Sequence, residues 1–216
     1  MTFNKIAMKL KKCKRLIKEE GLFMFIKKIF SIFFRCRTYH IYEKLIGDGR
    51  IISRHRLQNY TLKIIHTLKE LNKLEKDGYN LELMNLRKKV KKGALPFCVF
   101  SGKNLVHVTW VATNETSKKE IDRIPFAVNF QRGEVCTGGS FTDPLHRGKG
   151  LLNYTYSYIF PYLAKNGFSK IKFSVHENNI ASQKAHAKFN PIIVGKGYYL
   201  KIFCLDIWKE IDERVE

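Results

Sequence analysis

Acidic residues are scarce in this chain. Nineteen Asp and Glu stand against 40 Lys and Arg over 216 residues, a formal net charge of +21. A field of that strength attracts polyanions: nucleic acid, anionic lipid or nucleotide-type substrates. Clustered cysteine is also missing. Cys13, Cys36, Cys98, Cys136 and Cys204 are odd in number and scattered, with no CxxC and no Cys/His grouping. No zinc or other metal site is expected, and the thiols read as reduced and cytoplasmic. No apolar run approaches the roughly 20 residues of a membrane span. A cleaved signal peptide is not expected either, because Lys27-Lys28 splits the first apolar run and no small-residue cleavage site follows. Internal repeats, low-complexity linkers, nucleic-acid reader motifs and aromatic stacking platforms are all lacking, so specific nucleic-acid binding is not expected.

What is present fits one globular domain with an appendage. Residues 1–36 read as a basic amphipathic helical extension, and residues 37–216 as the domain. Residues 1–40 carry eleven Lys and Arg against Glu19 and Glu20. Ile6, Leu10, Cys13 and Ile17 form an apolar stripe on a first helix, which Gly21 ends. Leu22, Phe25, Ile26, Ile29, Phe30 and Phe33 line a second run, which Arg35 and Arg37 close. Two readings stay open for this extension. It covers its own domain or a partner in a homodimer, or it lies in the plane of an anionic membrane surface, peripheral at the inner face.

The domain then opens with a strand at Tyr39–Ile46 and a turn at Gly47-Asp48-Gly49. Helical spacing is read over Tyr60–Lys76 and Leu81–Lys92, each ended by glycine. From Pro96 the pattern turns to strands: a hairpin of 97–101 and 105–113, a polar loop over 114–123, and a strand pair at 126–130 and 134–142. Gly138-Gly139 interrupts the last strand, as at a bulge or a close ligand approach.

The chain is organised around residues 140–159, SFTDPLHRGKGLLNYTYSYI. Asp143-Pro144 stops a strand. Arg147-Gly148-Lys149-Gly150 follows, and Leu151, Leu152, Tyr154, Thr155, Tyr158, Ile159 and Tyr162 recur at near-helical spacing. Free N–H groups at a helix start, flanked by Arg and Lys, suit a pyrophosphate. About thirty residues on, KIKFSV (170–175) alternates like a strand. HENNIAS (176–182) opens a helix that ends at Asn190-Pro191, and strand-like runs follow at 192–194 and 198–205.

P-L-H-R-G-K-G followed by V-H-E-N-N-I-A-S-Q-K-A-H-A-K resembles the two central motifs of the GNAT superfamily of acyl-CoA N-acyltransferases, over roughly residues 95–205. The resemblance implies an α/β fold: a mixed, mostly antiparallel sheet with splayed central parallel strands and flanking helices. It implies acetyl-CoA as co-substrate, without metal, and transfer to a primary amine by direct reaction in a ternary complex. Phe141 and Thr142 would face the thioester, and the N–H groups of Arg147, Gly148, Lys149, Gly150 and Leu151 the pyrophosphate. Asn179 would hold the pantetheine region or a water, and Ser182 is a further cofactor-binding candidate. Lys184 and Lys188 are weaker candidates for the 3′-phosphate, a solvated helix face being the alternative. Three departures stand out. Leu145 replaces the Gln or Arg usual before the loop, Asn190-Pro191 replaces Gly-Phe, and His186 occupies the place where some members carry a tyrosine acid.

The catalytic expectations follow. His186 is the candidate acid for the departing thiolate, since imidazole titrates near neutrality. Glu134 is the candidate base, with His107 and His176 also near the framing strands and none selected by spacing. A nucleophilic Cys136 would need an adjacent base and reads instead as a buried strand cysteine. The basic amphipathic extension joined to this core resembles that of bacterial members associated with cell-surface polysaccharide assembly, which favours an amino sugar, nucleotide- or lipid-linked, as the acceptor. A protein or peptide N-acetyltransferase and a non-catalytic CoA-binding or membrane-surface module are the alternatives.

Overall fold

The computed structural model describes residues 34–47, 57–82, 85–203 and 205–212. The helical reading of residues 1–33 lies outside them. Positions 34–36, assigned to that extension, belong to a strand. The described strands are β1 (Phe34–Leu45), β2 (Tyr60–Ile64), β3 (Leu95–Ser101), β4 (Asn104–Ala112), β5 (Glu134–Thr142), β6 (Lys170–His176), β7 (Ile192–Ile202) and β8 (Leu205–Asp212). The helices are α1 (Leu68–Lys76), α2 (Leu86–Lys91), α3 (Glu115–Ile121), α4 (Leu151–Lys165) and α5 (Ile180–Ala187). The strands make one sheet in the order β2-β3-β4-β5-β6-β1-β7-β8. Pairs β2/β3, β3/β4, β4/β5 and β1/β6 are antiparallel, and β5/β6 is parallel.

The described residues divide between two compact units. One contains 34–38, 198–203 and 205–209, where Phe34 packs edge-on against Phe203 and the Tyr199 hydroxyl donates to Asp206 at 2.6 Å. The other contains 39–47, 57–82, 85–197 and 210–212.

Several expectations are corrected. Residues 60–64 are strand, paired with Ser101–Phe97, and the helix starts only at Leu68. Leu62 and Ile65 share a helical spacing with Leu68. Thr67, however, caps the helix by accepting from the Glu70 N–H at 3.2 Å, while the Glu70 carboxylate accepts from the His66 N–H at 2.7 Å. The loop expected at 114–123 contains α3, started by Asn114 accepting from the Ser117 N–H at 2.9 Å. No strand forms at 126–130, because β5 already has β4 on one side and β6 on the other. The runs at 192–194 and 198–205 are instead one strand through Ile202 and the start of another.

The core explains the placement of α4. Strand β6 buries Ile171, Phe173 and Val175 on one face, and Tyr156, Ile159 and Leu163 of α4 pack there with Val135 and Phe189. Each such side chain contributes about 1.5–3 kcal/mol by leaving water. The alternate residues of β6, Lys170, Lys172 and Ser174, point to the other face and meet acidic partners.

Candidate acyl-CoA site

Strands β5 and β6 pair only at Glu134–Cys136 with Lys170–Lys172. Beyond that point β5 stays with β4 to Thr142, and β6 stays with β1 to His176. The two central strands therefore part, and among the described residues the β6-facing edge of β5 from Thr137 onward has no strand partner. A bulge marks the parting. Val108 faces Phe141 while Trp110 faces Gly138, so β5 carries one extra residue. Gly139 supplies it at φ 57°, and a Cβ there would lie 2.9 Å from the Ile121 carbonyl oxygen. No other residue combines that φ with so little space.

At the end of β5, the Asp143 carboxylate accepts from the Leu145 N–H at 2.8 Å, and a single 3-10 turn spans Pro144–His146. The Tyr60 hydroxyl lies 2.9 Å from Nδ1 of His146 and ties the turn to β2. Arg147 donates from Nε to the Thr142 carbonyl at 3.3 Å. Gly148 and Gly150 both adopt left-handed φ, 76° and 75°, with open space where a Cβ would stand. Helix α4 then begins with no side-chain cap and no acidic residue in its first turn. Its first N–H groups and positive dipole end face an open loop bearing exposed Arg147 and Lys149. The sequence-predicted residues Phe141 and Thr142 thus end β5, Arg147–Gly150 form an exposed loop, and Leu151, which is buried, opens α4. These groups fit a pyrophosphate: N–H donors and two cations, with the neighbouring Asp143 carboxylate engaged by the Leu145 N–H.

On the α4 and α5 side of the opening, Thr137 Oγ1 lies 2.8 Å from the Tyr156 hydroxyl, which lies 3.4 Å from Nε2 of His186. His186 Nδ1 is 2.8 Å from the Ser182 carbonyl. A carbonyl only accepts, so Nδ1 carries the proton and Nε2 accepts from Tyr156. Burial lowers the His186 pKa, opposed by the Ser182 carbonyl, and the ring stacks on Phe173 at 4.5 Å. His186 is therefore a buried neutral imidazole, with the Tyr156 hydroxyl at its Nε2 and the Ser182 hydroxyl 3.3 Å from its Nδ1. Asn179 caps α5 by accepting from the Ser182 N–H at 3.2 Å. Lys184 and Lys188 are exposed on the same helix.

On the opposite side, three carboxylates meet the polar face of β6 in succession. Glu43 pairs with Lys170 at 2.8 Å, Glu134 with Lys172 at 3.0 Å, and Asp122 accepts from the Ser174 hydroxyl at 2.8 Å. Glu134 is not placed for the role of base. It sits at the closed end of the β5/β6 pair and accepts from the Asn129 N–H at 2.7 Å. Burial would raise its pKa, but that bond and Lys172 outweigh it and leave it lowered. Asp122 stands one rung further, where the strands have parted. Among the described residues no cation pairs with it, since the Lys118 ammonium donates to the Ile124 carbonyl at 2.8 Å. Burial raises its pKa against the Ile124 N–H, the Ser174 hydroxyl and Lys118. Sequence reasoning missed Asp122 because α3 and its following turn were read as a polar loop, and only the tertiary fold brings it to Ser174.

The other expected bases are also placed. His107 is fully buried, 2.7 Å from Thr142 Oγ1 and 3.0 Å from Thr109 Oγ1, and burial lowers its pKa to about 4. His176 accepts from the Asn178 N–H at 3.1 Å at the end of β6. Cys136 is buried and burial raises its thiol pKa, which agrees with a structural role. Among the described residues there is no cluster of three His, Cys, Asp or Glu able to hold a metal, and no helix long and apolar enough to cross a membrane.

No protein-family model and no curated protein matches this chain. Solved structures do. A GCN5-related N-acetyltransferase from Sphaerobacter thermophilus matches with a TM-score of 0.50 at 13% identity, over 89% of this chain and 58% of that one. Another from Kribbella flavida gives 0.50 at 11% identity, over 84% and 63%. The chain has the GNAT fold. A functionally unknown conserved protein from Staphylococcus epidermidis also matches this chain, with a TM-score of 0.52 at 7% identity over 84% of this chain and 68% of that one. At such identities the likeness is one of fold. This chain spans about three fifths of the length of the two acetyltransferases. The GNAT fold expected from the residue 140–159 and 170–188 motifs is thus present, with its parting strands.

Proposed function

We propose that the protein is an acetyl-CoA-dependent N-acetyltransferase acting on a primary amine. The observation that carries this reading is the opening between β5 and β6, which has the uncapped start of α4 and its glycine loop at its mouth. Acetyl-CoA supplies an acyl carbon activated as a thioester; transfer forms the amide C–N bond, breaks the C–S bond, takes one proton from the amine and returns one to sulfur.

The chain's residues divide that work. The N–H groups of residues 147–151, with Arg147 and Lys149, hold the pyrophosphate. The unpaired edge of β5 offers the Thr142 N–H to the acyl oxygen, since Asp143 and hence Phe141 direct theirs toward β4. Asp122 accepts the amine proton, directly or through one water, in keeping with a carboxylate raised toward the working pH. Tyr156 and His186 form the relay that returns a proton to sulfur. A nucleotide- or lipid-linked amino sugar remains the favoured acceptor class, supported by the net charge of +21. The test is thiol release from acetyl-CoA across a panel of primary amines. Amine-dependent release is expected; acetyl-CoA binding without acceleration by any amine would contradict catalysis and leave a binding module.

A further inference from the structure

Resting on that reading, the face of the opening that carries Asp122 also says what the amine is attached to. A Cβ on Gly138 would lie 3.5 Å from Cβ of Asp122. A Cβ on the next residue, Gly139, would lie 3.2 Å from Cδ1 of Trp110 and 3.5 Å from Nζ of Lys89. The Ile121 carbonyl oxygen is near both positions, at 3.8 and 2.9 Å, so both open to the same side. Asp122 and the Lys89–Trp110 pair thus pack over successive residues of the bulge, close enough that glycine at both positions is what admits them.

Among the described residues neither the Lys89 ammonium nor the indole N–H beside it has a hydrogen-bond or ion-pair partner, the ammonium's contact being the face of the Trp110 ring. Lys89 Nζ stands 4.8 Å from the centre of the Trp110 ring. The nearby carboxylate of Glu120 is taken by Lys88 at 2.8 Å. Burial lowers the Lys89 pKa, Glu120 opposes this, and Lys88 and Arg123 reinforce it. Trp110 is fully buried, and its Nε1, bonded to the Cδ1 that approaches Gly139, has no hydrogen-bond partner among the described residues. A half-buried ammonium and an orphaned indole N–H are both costly until an anion joins them.

We propose that this face is the acceptor pocket and that it selects a primary amine carrying an oxyanion, carboxylate or phosphate. Asp122 receives the amine, and Lys89 with the Trp110 indole N–H receives the oxyanion. An amine without the anion leaves both donors unpaired, and sites of that kind discriminate strongly.

The test reads binding without turnover. The chain has two tryptophans, so a proton–nitrogen spectrum shows two indole signals, and Trp208→Phe identifies that of Trp110. The protein is titrated with 4-aminobutyrate, 2-aminoethyl phosphate and butylamine at millimolar concentration, with acetyl-CoA binding measured on the same samples. The Trp110 signal should move with one or both anionic amines, at least tenfold more tightly than with butylamine. Lys89→Met, which keeps the aliphatic stem over the ring, should abolish that preference. The relative response to the two anions tells carboxylate from phosphate. Equal response to butylamine, or none to either anionic amine, overturns the proposal. If acetyl-CoA binds while Trp110 stays still, the pocket assignment falls and the acetyltransferase reading stands. If Trp110 responds and acetyl-CoA does not bind, the reverse holds.

Discussion

Asp122 is held where an anion is poorly solvated. Its raised pKa means that the ionised carboxylate is less stable there than in water, despite the Ile124 N–H and the Ser174 hydroxyl. Asp122→Asn should therefore raise stability at pH 7 while lowering turnover by roughly 100-fold or more. Urea unfolding and thiol-release kinetics on the same variant check both halves; unchanged turnover would remove Asp122 from the reaction. His186→Phe keeps the stack on Phe173 and removes both nitrogens. It should lower turnover by roughly tenfold or more with acetyl-CoA affinity unchanged, and full activity would end its role in the relay. His107 gives a pH signature. Its pKa of about 4 lies below the roughly 6.5 of the unfolded chain. Between those values the unfolded state takes up a proton that the folded state refuses. Stability should then fall as pH drops from about 6.5 to about 4, by up to about 3 kcal/mol, with His186 acting in the same direction. His107→Gln should flatten that slope in urea melts; an unchanged slope would place its origin elsewhere. At this scale the sequence was only partly legible. Glu134 is the right kind of group on the right face of β6, but Lys172 neutralises it one rung before the strands part.

Among elements, the loop from Asp143 to Gly150 was readable because its chemistry is local. A strand stopped by Asp-Pro, two glycines two apart and an uncapped helix start need no tertiary information. Gly148→Glu would put a carboxylate between exposed Arg147 and Lys149 and beside the first N–H groups of α4, and acetyl-CoA binding by calorimetry should be lost; retained affinity would contradict the loop assignment. The bulge was legible as an interruption at Gly138-Gly139, and its partner distances explain why. Gly139→Ala meets both the positive φ and the Ile121 carbonyl, and should destabilise the fold by about 1–3 kcal/mol in urea titration. Elements that depend on distant partners were misread. Tyr60–Ile64 carries a helical spacing into what becomes an edge strand on β3, and α3 hides in a polar stretch whose one local signal is Asn114.

Over the whole molecule, the fold class follows from the order of elements, and the parallel β5/β6 pair from the helix that must cross between them. The placement of residues 1–33 against a membrane, a partner or the domain lies outside the described structure. The net charge of +21 bears on the central claim through ionic strength, since contacts to exposed Arg147 and Lys149 weaken with salt. The most direct test is thermal unfolding of the purified protein with acetyl-CoA, CoA and longer acyl-CoAs at low and moderate salt. At 100 times the dissociation constant, a site specific to the folded state adds about 2.7 kcal/mol. The account predicts a clear rise in Tm with acetyl-CoA, smaller at higher salt and absent in Gly148→Glu. No rise with any acyl-CoA at either salt would contradict it, leaving the GNAT fold without its co-substrate.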